Sequence, residues 1–326
     1  MKIHHKIDET EWRKEAEACE YATFFHTPSW LKIFTDTYDE MENATIKIEF
    51  KDGKKALIPL IKSKNSNIEY LNCPAGTYGE WISGDILSDQ QEEKIAKWMN
   101  SHLKSFVTRI NPYKKKHPQL FNNYKTYKIK KDFTQILNLE KGYDSVYNFF
   151  SKGHKYNIKK SKNLGVKIKI ATTINEYLDY FKIYQNSLER WGNSATNNYP
   201  IQLFINIFKH KNNNIKLWVA EINNKIISGS LVFYHLKHLV WWHGATLSSF
   251  FNLYPANYLQ DRIIKNACDK KFIYFDFNPS GSHIGVEKFK RSFGAKNVSS
   301  NVIIRYKSSP LINFLSKIEK NVKKIL

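Results

Sequence analysis

Residues 274–295 read YFDFNPSGSHIGVEKFKRSFGA. Aromatic and polar residues alternate up to Asp276, the chain breaks at Asn278, Pro279, Ser280 and Gly281, and Phe289, Lys290 and Arg291 precede a second turn at Phe293, Gly294 and Ala295. Alternation bounded by Pro and Gly predicts a strand, a turn, and a basic segment beside another turn. A carboxylate at a strand's C-terminal end, followed by hydroxyls, backbone amides and two cations, suits group transfer on an anionic or carbonyl substrate. Asp276 equally fits a turn cap, since Asp, Asn and Ser populate turns for local reasons.

Working outward, residues 255–270 predict a helix, and residues 217–222, 226–234 and 239–242 an antiparallel meander with a turn at Asn223 and Asn224. Before them come a strand over 166–171 and helices over 174–190 and 200–210. A domain boundary is placed at residue 140, after which a helix carries Lys152, Lys155, Lys159 and Lys160. The first domain, 1–140, reads as a helix over 10–22 and a second helix opened by Thr27 as N-cap with Pro28 at its first position. A hairpin over 46–50 and 56–61, a Gly-rich loop over 73–80, a helix over 89–103 and strands within 127–139 follow. The second domain, 141–326, closes with a basic amphipathic helix over 310–325.

With 326 residues, 42% hydrophobic and 15% aromatic, the chain can fill two cores. It shows no apolar run of the roughly 18–20 residues that span a bilayer and no signal-peptide core at its start, so a cytoplasmic protein is expected. Cys19, Cys73 and Cys268 are widely separated and indicate neither disulfides nor a zinc knuckle. His235, His238 and His243 lack a supporting carboxylate or cysteine set, so no metal is expected. The formal charge of +21 attracts polyanions, among them tRNA, nucleotide-linked sugars, coenzyme A and anionic membrane surfaces.

Several segments, in order, resemble the Gcn5-related acyltransferases that group with the Fem peptidoglycan transferases. They are FHTPSWLK (25–32), KGHKYNIKK (152–160), SLERWG (187–192), LWVAE (217–221), YPANYL (254–259) and the stretch quoted first. The resemblance implies an α+β fold of mixed sheets in two tandem Gcn5-related acyltransferase-like domains, with the acceptor in the cleft between or along them. It implies an acyl-coenzyme-A-dependent N-acyltransferase acting on the amine of a nucleotide-linked amino sugar for surface polysaccharide. Two alternatives remain open: aminoacyl-tRNA-dependent transfer to a peptidoglycan precursor, and a non-catalytic polyanion-binding protein. The chain lacks the long heptad insertion that many tRNA-using members carry, which disfavours tRNA.

The resemblance places Lys290 and the main-chain carbonyl of Phe289 at the reacting carbonyl. Asp276 is the best side-chain base, with Glu287 and His243 in reserve. For the acceptor, the resemblance points to Trp30 and Lys32 on phosphate and to His154 and Asn157 on a basic helix. Arg190 and Trp191 suit a phosphate clamp with a stacking platform, and His243 and Ser280 complete the substrate-binding set. The expected Gly-rich cradle for the cofactor's pyrophosphate is replaced by ATLSSFFNLY over 245–254, so Ser248, Ser249, Tyr254 and Asn257 at a helix N-terminus, with Arg291, are the cofactor-binding candidates.

Overall fold

The structure, a computed structural model, describes residues 1–64, 66–123, 127–192, 195, 197–281 and 283–306. The helix expected over 310–325 lies outside the described residues. The chain forms two compact units.

The first unit opens with β1 (Lys2–His4), α1 (Glu9–Ala18) and α2 (Pro28–Thr35). Pro28 does occupy the first position of α2, but the Thr27 hydroxyl donates to Phe24 O and makes no cap bond. Next come β2 (Met41–Asn43), β3 (Ile46–Glu49), β4 (Lys55–Ile58) and β5 (Ile61–Ser63). The single strand expected over 56–61 is two, because Pro59 has no N–H to continue a ladder. β4 joins the three-stranded sheet β1-β3-β4, and β5 pairs with β2 in a second sheet. From β6 (Tyr70–Leu71) the chain crosses through α3 (Asp89–His102) to β7 (Phe106–Arg109), parallel to β6, and on to β8 (Lys128–Lys130). Ile48, Trp81, Ile95, Met99 and Phe106 form the core of this unit.

The second unit, Thr134–Val298, begins within β9 (Phe133–Asn138) and continues through α4 (Gly142–Asn148), α5 (Lys152–Asn163), β10 (Lys167–Ile170), α6 (Ile174–Trp191) and α7 (Ile201–Lys209). A Thr173/Glu176 capping box starts α6, and Tyr177, Tyr180, Phe181 and Tyr184 form its buried stripe at helical spacing. Burying each such ring contributes about 2 kcal/mol. Gly229 makes room for one of them, since a Cβ there would lie 2.4 Å from the Tyr180 ring.

β11 (Ile215–Ile222), β12 (Lys225–His235) and β13 (His238–Thr246) form the meander; α8 (Pro255–Asp269) then crosses to β14 (Tyr274–Asp276), parallel to β13. The expected basic segment over 289–291 is the end of a helix, α9 (Ile284–Arg291), whose Val286, Phe289 and Phe293 spacing was hidden behind the turn residues before it. β15 (Lys296–Ser299) completes the order β10-β11-β12-β13-β14-β9-β15. The core gathers Leu137, Leu239, Ile263, Phe275, Phe277 and Phe293.

The last strand, β16 (Val302–Arg305), inserts between β7 and β8 in the first unit's sheet, which reads β2-β5-β6-β7-β16-β8. Contacts therefore divide the chain at 133/134 and return the described residues from Ser299 onward to the first unit, whereas the sequence-based division at 140/141 left them in the second. Each unit contains the same succession of antiparallel meander, crossing helix and parallel strand, with no matching sequence repeat to announce it.

Candidate active site in the second unit

Two features of the meander open a site. β14 pairs with only the first three residues of β13, His238 to Val240, so β13 runs on to Thr246 without that neighbour. A bulge opposite Leu231 and Val232 twists β13 where the pairing ends. The Trp241 indole donates to His243 O at 3.0 Å, and Gly244 admits the ring, since a Cβ there would sit 2.4 Å from it. A strand residue's N–H and C=O point to one side; Leu247 N donates to Ile227 O, so by alternation Ala245 and His243 turn their backbone to β12 and the Gly244 amide faces the open edge.

The turn after β14 and the end of α9 face this edge. Lys290, 3% exposed, donates to Asn278 O at 2.7 Å and Pro279 O at 3.3 Å, with its ammonium 5.8 Å from the Trp241 ring centroid. Trp241 also meets Phe277 and Phe289. The last turn of α9 closes through Ser292 N to Lys288 O, Phe293 N to Lys290 O and Gly294 N to Arg291 O. That pattern skips the Phe289 carbonyl, which no donor reaches among the described residues.

Asp276 is fully buried; its Oδ1 accepts from the Thr134 hydroxyl and from Asn278 N at 2.7 Å. This is turn-cap geometry, and it corrects the expectation of a strand-end carboxylate facing a cleft. The Ser280 hydroxyl donates to Gln135 Oε1 at 3.3 Å, tying the same turn to β9. Glu287 pairs with Arg291 one turn along α9, so Arg291 is a neutralised cation, not the open one expected for a cofactor.

His243 is also corrected. Its ring lies among Tyr184, Tyr199 and Phe204, its Nδ1 meets the Tyr180 hydroxyl at 2.6 Å, and burial pushes its pKa down to about 3. It is a neutral imidazole held among aromatic rings, with its backbone turned to β12. His154 lies against Phe289 and Phe293, with its pKa pushed down to about 4 by burial and its buried Nδ1 without a partner. Asn157, one turn along α5, is half-buried.

A second constellation surrounds residues 248–254. Ser248–Leu253 form a 3-10 turn, Tyr254 takes φ 53°, and α8 then starts with no side-chain cap and no acid in its first turn. Ser248 and Ser249 are exposed and Asn257 is buried. Three cations from three elements lean on this segment's rings: Lys225 at 5.3 Å from the Phe250 centroid, Arg190 at 4.8 Å from Phe251 and Lys160 at 5.1 Å from Tyr254. None has a carboxylate partner among the described residues. Arg190 thus lies with the 248–254 segment and also 5.6 Å from the Trp191 centroid, and Trp191 stacks on His283 at 6.0 Å. Lys160 and Lys225 read in sequence as solvated lysines, and nothing local marks Trp241 or the Phe289 carbonyl. Only tertiary structure assembles these groups.

In the first unit, Trp30 is wholly buried against Phe24, Phe25 and Phe34. It is a core residue, which corrects its expected contact with substrate. Lys32 is exposed on the same helix.

Residues 149–291 match the acetyltransferase (GNAT) domain family. No curated protein matches the sequence. Among solved structures, the chain is similar to FemX at a TM-score of 0.71 and 12% identity, over 97% of this chain and 100% of that one. It is similar to L-PGS from Bacillus licheniformis at 0.60 and 11%, over 98% of each chain. A tandem GNAT protein from the clavulanic acid biosynthesis pathway matches at 0.55 and 6%, over 95% and 99%. The second unit carries a GNAT-type acetyltransferase domain, and the protein is an N-acyltransferase of α+β architecture with tandem GNAT-like units.

Proposed function

We propose that the protein moves an acyl group from acyl-coenzyme A to the amine of a nucleotide-linked (dTDP or UDP) amino sugar used for surface polysaccharide. The observation that carries the donor assignment is three cations, with no carboxylate partner among the described residues, converging on an uncapped helix N-terminus. Free amides and uncompensated positive charge recognise phosphate. Lys160, Arg190 and Lys225 hold the donor's phosphates with the amides of α8 and the hydroxyls of Ser248 and Ser249; this supplies what a Gly-rich loop supplies elsewhere. The bound donor provides an activated thioester.

The outward amide of Gly244 orients the acyl carbonyl on the open edge of β13. The Phe289 carbonyl, left without a donor, accepts an N–H of the incoming amine and holds it for attack. Lys290 fixes the turn at Asn278 and Pro279, and its charge offsets the oxyanion. Asp276 positions that turn through Asn278, and the amine's proton leaves by water and the departing thiolate. Lys32 binds the acceptor's phosphate, as the resemblance of its segment implies.

Release of free thiol from acetyl-coenzyme A, followed with a panel of nucleotide-linked amino sugars, tests this reading. Thiol release dependent on one such sugar supports it. The second reading, aminoacyl transfer from tRNA to a peptidoglycan precursor, draws on the full-length likeness in fold to FemX. Consumption of aminoacyl-tRNA, with no thiol released on any sugar, would replace the first reading by the second.

A further inference from the structure

The outward face of α5 is built unlike that of any other helix in the second unit. Its sequence, KGHKYNIKKSKN, contains five lysines and no acid. Ile158 and Ser161 are buried and His154 turns inward, whereas Lys152, Tyr156, Lys159 and Asn163 follow one another at helical spacing on the exposed side. Lys155 and Lys162 flank one edge of that stripe and Lys160 the other.

Large apolar side chains stand out from the same line of chain. Phe149, just before α5, is 70% exposed, Tyr156 in the middle is 62% exposed, and Leu164 at the end is 43% exposed. Apolar groups gathered along one basic stretch, unlike those scattered singly, mark a surface that a partner covers. The order Phe149, Lys152, Tyr156, Lys159, Leu164 extends over about 20 Å of helix and flanking backbone at 1.5 Å per helical residue. Lys167 on β10 continues the positive charge beyond it, while Lys169 is paired with Glu176 and Glu221.

From this arrangement we infer that the α5 face docks on an anionic lipid surface, with the lysines at the headgroups and Phe149, Tyr156 and Leu164 entering the interface. Lysine ammonium groups attract anionic headgroups without demanding a fixed geometry, and each adds roughly fivefold to partition near such a surface. Aromatic and aliphatic side chains interleaved with lysines are the complement of a headgroup and acyl boundary. A nucleic-acid partner fits less well. The planar Arg fork that recurs at phosphates and bases is missing from α5, and Leu164 offers no flat face to a base. Among the described residues no helix is long and apolar enough to cross a membrane, so the contact is peripheral. This inference does not depend on which acceptor is used.

Flotation of the full chain with vesicles tests it. At low salt the protein is expected to float with phosphatidylcholine vesicles containing 30% phosphatidylglycerol at least tenfold more than with phosphatidylcholine alone, and the difference should shrink as salt is raised. The double variant Lys152→Glu, Lys159→Glu should lose at least tenfold in binding to the anionic vesicles, and Phe149→Ala with Tyr156→Ala should lose several-fold without changing the salt dependence. Where a double variant fails to fold, Lys159→Glu alone reads the same quantity. Equal flotation on neutral and anionic vesicles, or charge-reversed protein that floats like the parent, overturns the inference. So does salt-resistant tRNA binding that the same lysines control and that blocks flotation, an outcome that would give the face to RNA.

Discussion

At the scale of single residues, the buried ions in the second unit have separable jobs. Lys290 serves two backbone carbonyls and stands near Trp241, so Lys290→Met removes both an anchor and a charge. Loss of the charge alone should lower turnover by about 100-fold, the scale of one oxyanion-stabilising group. Loss of the anchor should cost about 1–3 kcal/mol for the carbonyls left bare. Lys290→Arg, measured for both quantities, should recover part of each; full activity in Lys290→Met would remove Lys290 from the reaction. Asp276→Ala should instead act chiefly on stability, lowering it by about 1–3 kcal/mol through the Asn278 amide and Thr134 hydroxyl, with the pH profile of turnover unshifted. A lost acidic limb in that profile would make Asp276 a base after all. His243 gives a stability prediction whose sign is fixed by burial. Its folded pKa of about 3 lies below the unfolded value of 6.5, so between these values the unfolded chain binds a proton that the folded chain refuses. Stability should fall as pH drops through that window, by up to about 1.4 kcal/mol per pH unit from this group. Denaturant midpoints from pH 7 to pH 4 should show a shallower slope in His243→Gln than in the parent.

At the scale of elements, the meander, α8 and the strand after it were legible because each carries its own periodicity and punctuation: alternation in β11 and β12, Pro255 at the first position of α8, and Pro and Gly after β14. The position of α8's N-terminus was legible too, since Pro255 marks it, and Ser248 and Ser249 followed from that mark. What escaped was convergence. Lys225 belongs to a hairpin, Arg190 to the end of α6 and Lys160 to a helix facing elsewhere, and no local rule brings them to Phe250, Phe251 and Tyr254. Conversely, Trp30 and His243 looked functional because an aromatic or an imidazole beside polar neighbours carries no sequence mark of its burial. The cation cluster yields a prediction at its own scale. Lys160→Ala, Arg190→Ala and Lys225→Ala should each raise the KM for acyl-coenzyme A several-fold, with kcat and the acceptor's KM little changed, since phosphate contacts stabilise ground and transition states alike. Lys32→Ala should show the opposite pattern, raising the acceptor's KM alone. An unchanged donor KM in all three cation variants would remove the phosphate site from α8.

At the scale of the whole molecule, the same topological succession occurs twice, and the two crossing helices begin differently. In the second unit α8 starts bare, with no side-chain cap and no acid in its first turn, and three cations nearby have no carboxylate partner among the described residues. In the first unit the equivalent start, at α3, is closed by its own side chains. Ser88 Oγ accepts from Gln91 N, Gln91 Oε1 accepts from Ser88 N, and Gln91 Nε2 donates to the Asp52 carboxylate. Asp89 and Glu92 in that first turn are paired with Lys116 and Lys114. The amides that a phosphate would need are partly taken, so a second donor site in the first unit is disfavoured. Titration calorimetry of the full chain with coenzyme A should therefore give one site per chain. Lys160→Ala or Arg190→Ala should weaken that site, and Ser88→Ala should leave its stoichiometry and affinity unchanged while lowering thermal stability by about 1 kcal/mol through the lost cap. Two equivalent sites, or a site abolished by Ser88→Ala and untouched by the α8 variants, would show that the donor is held by the first unit and would move the reaction's centre with it.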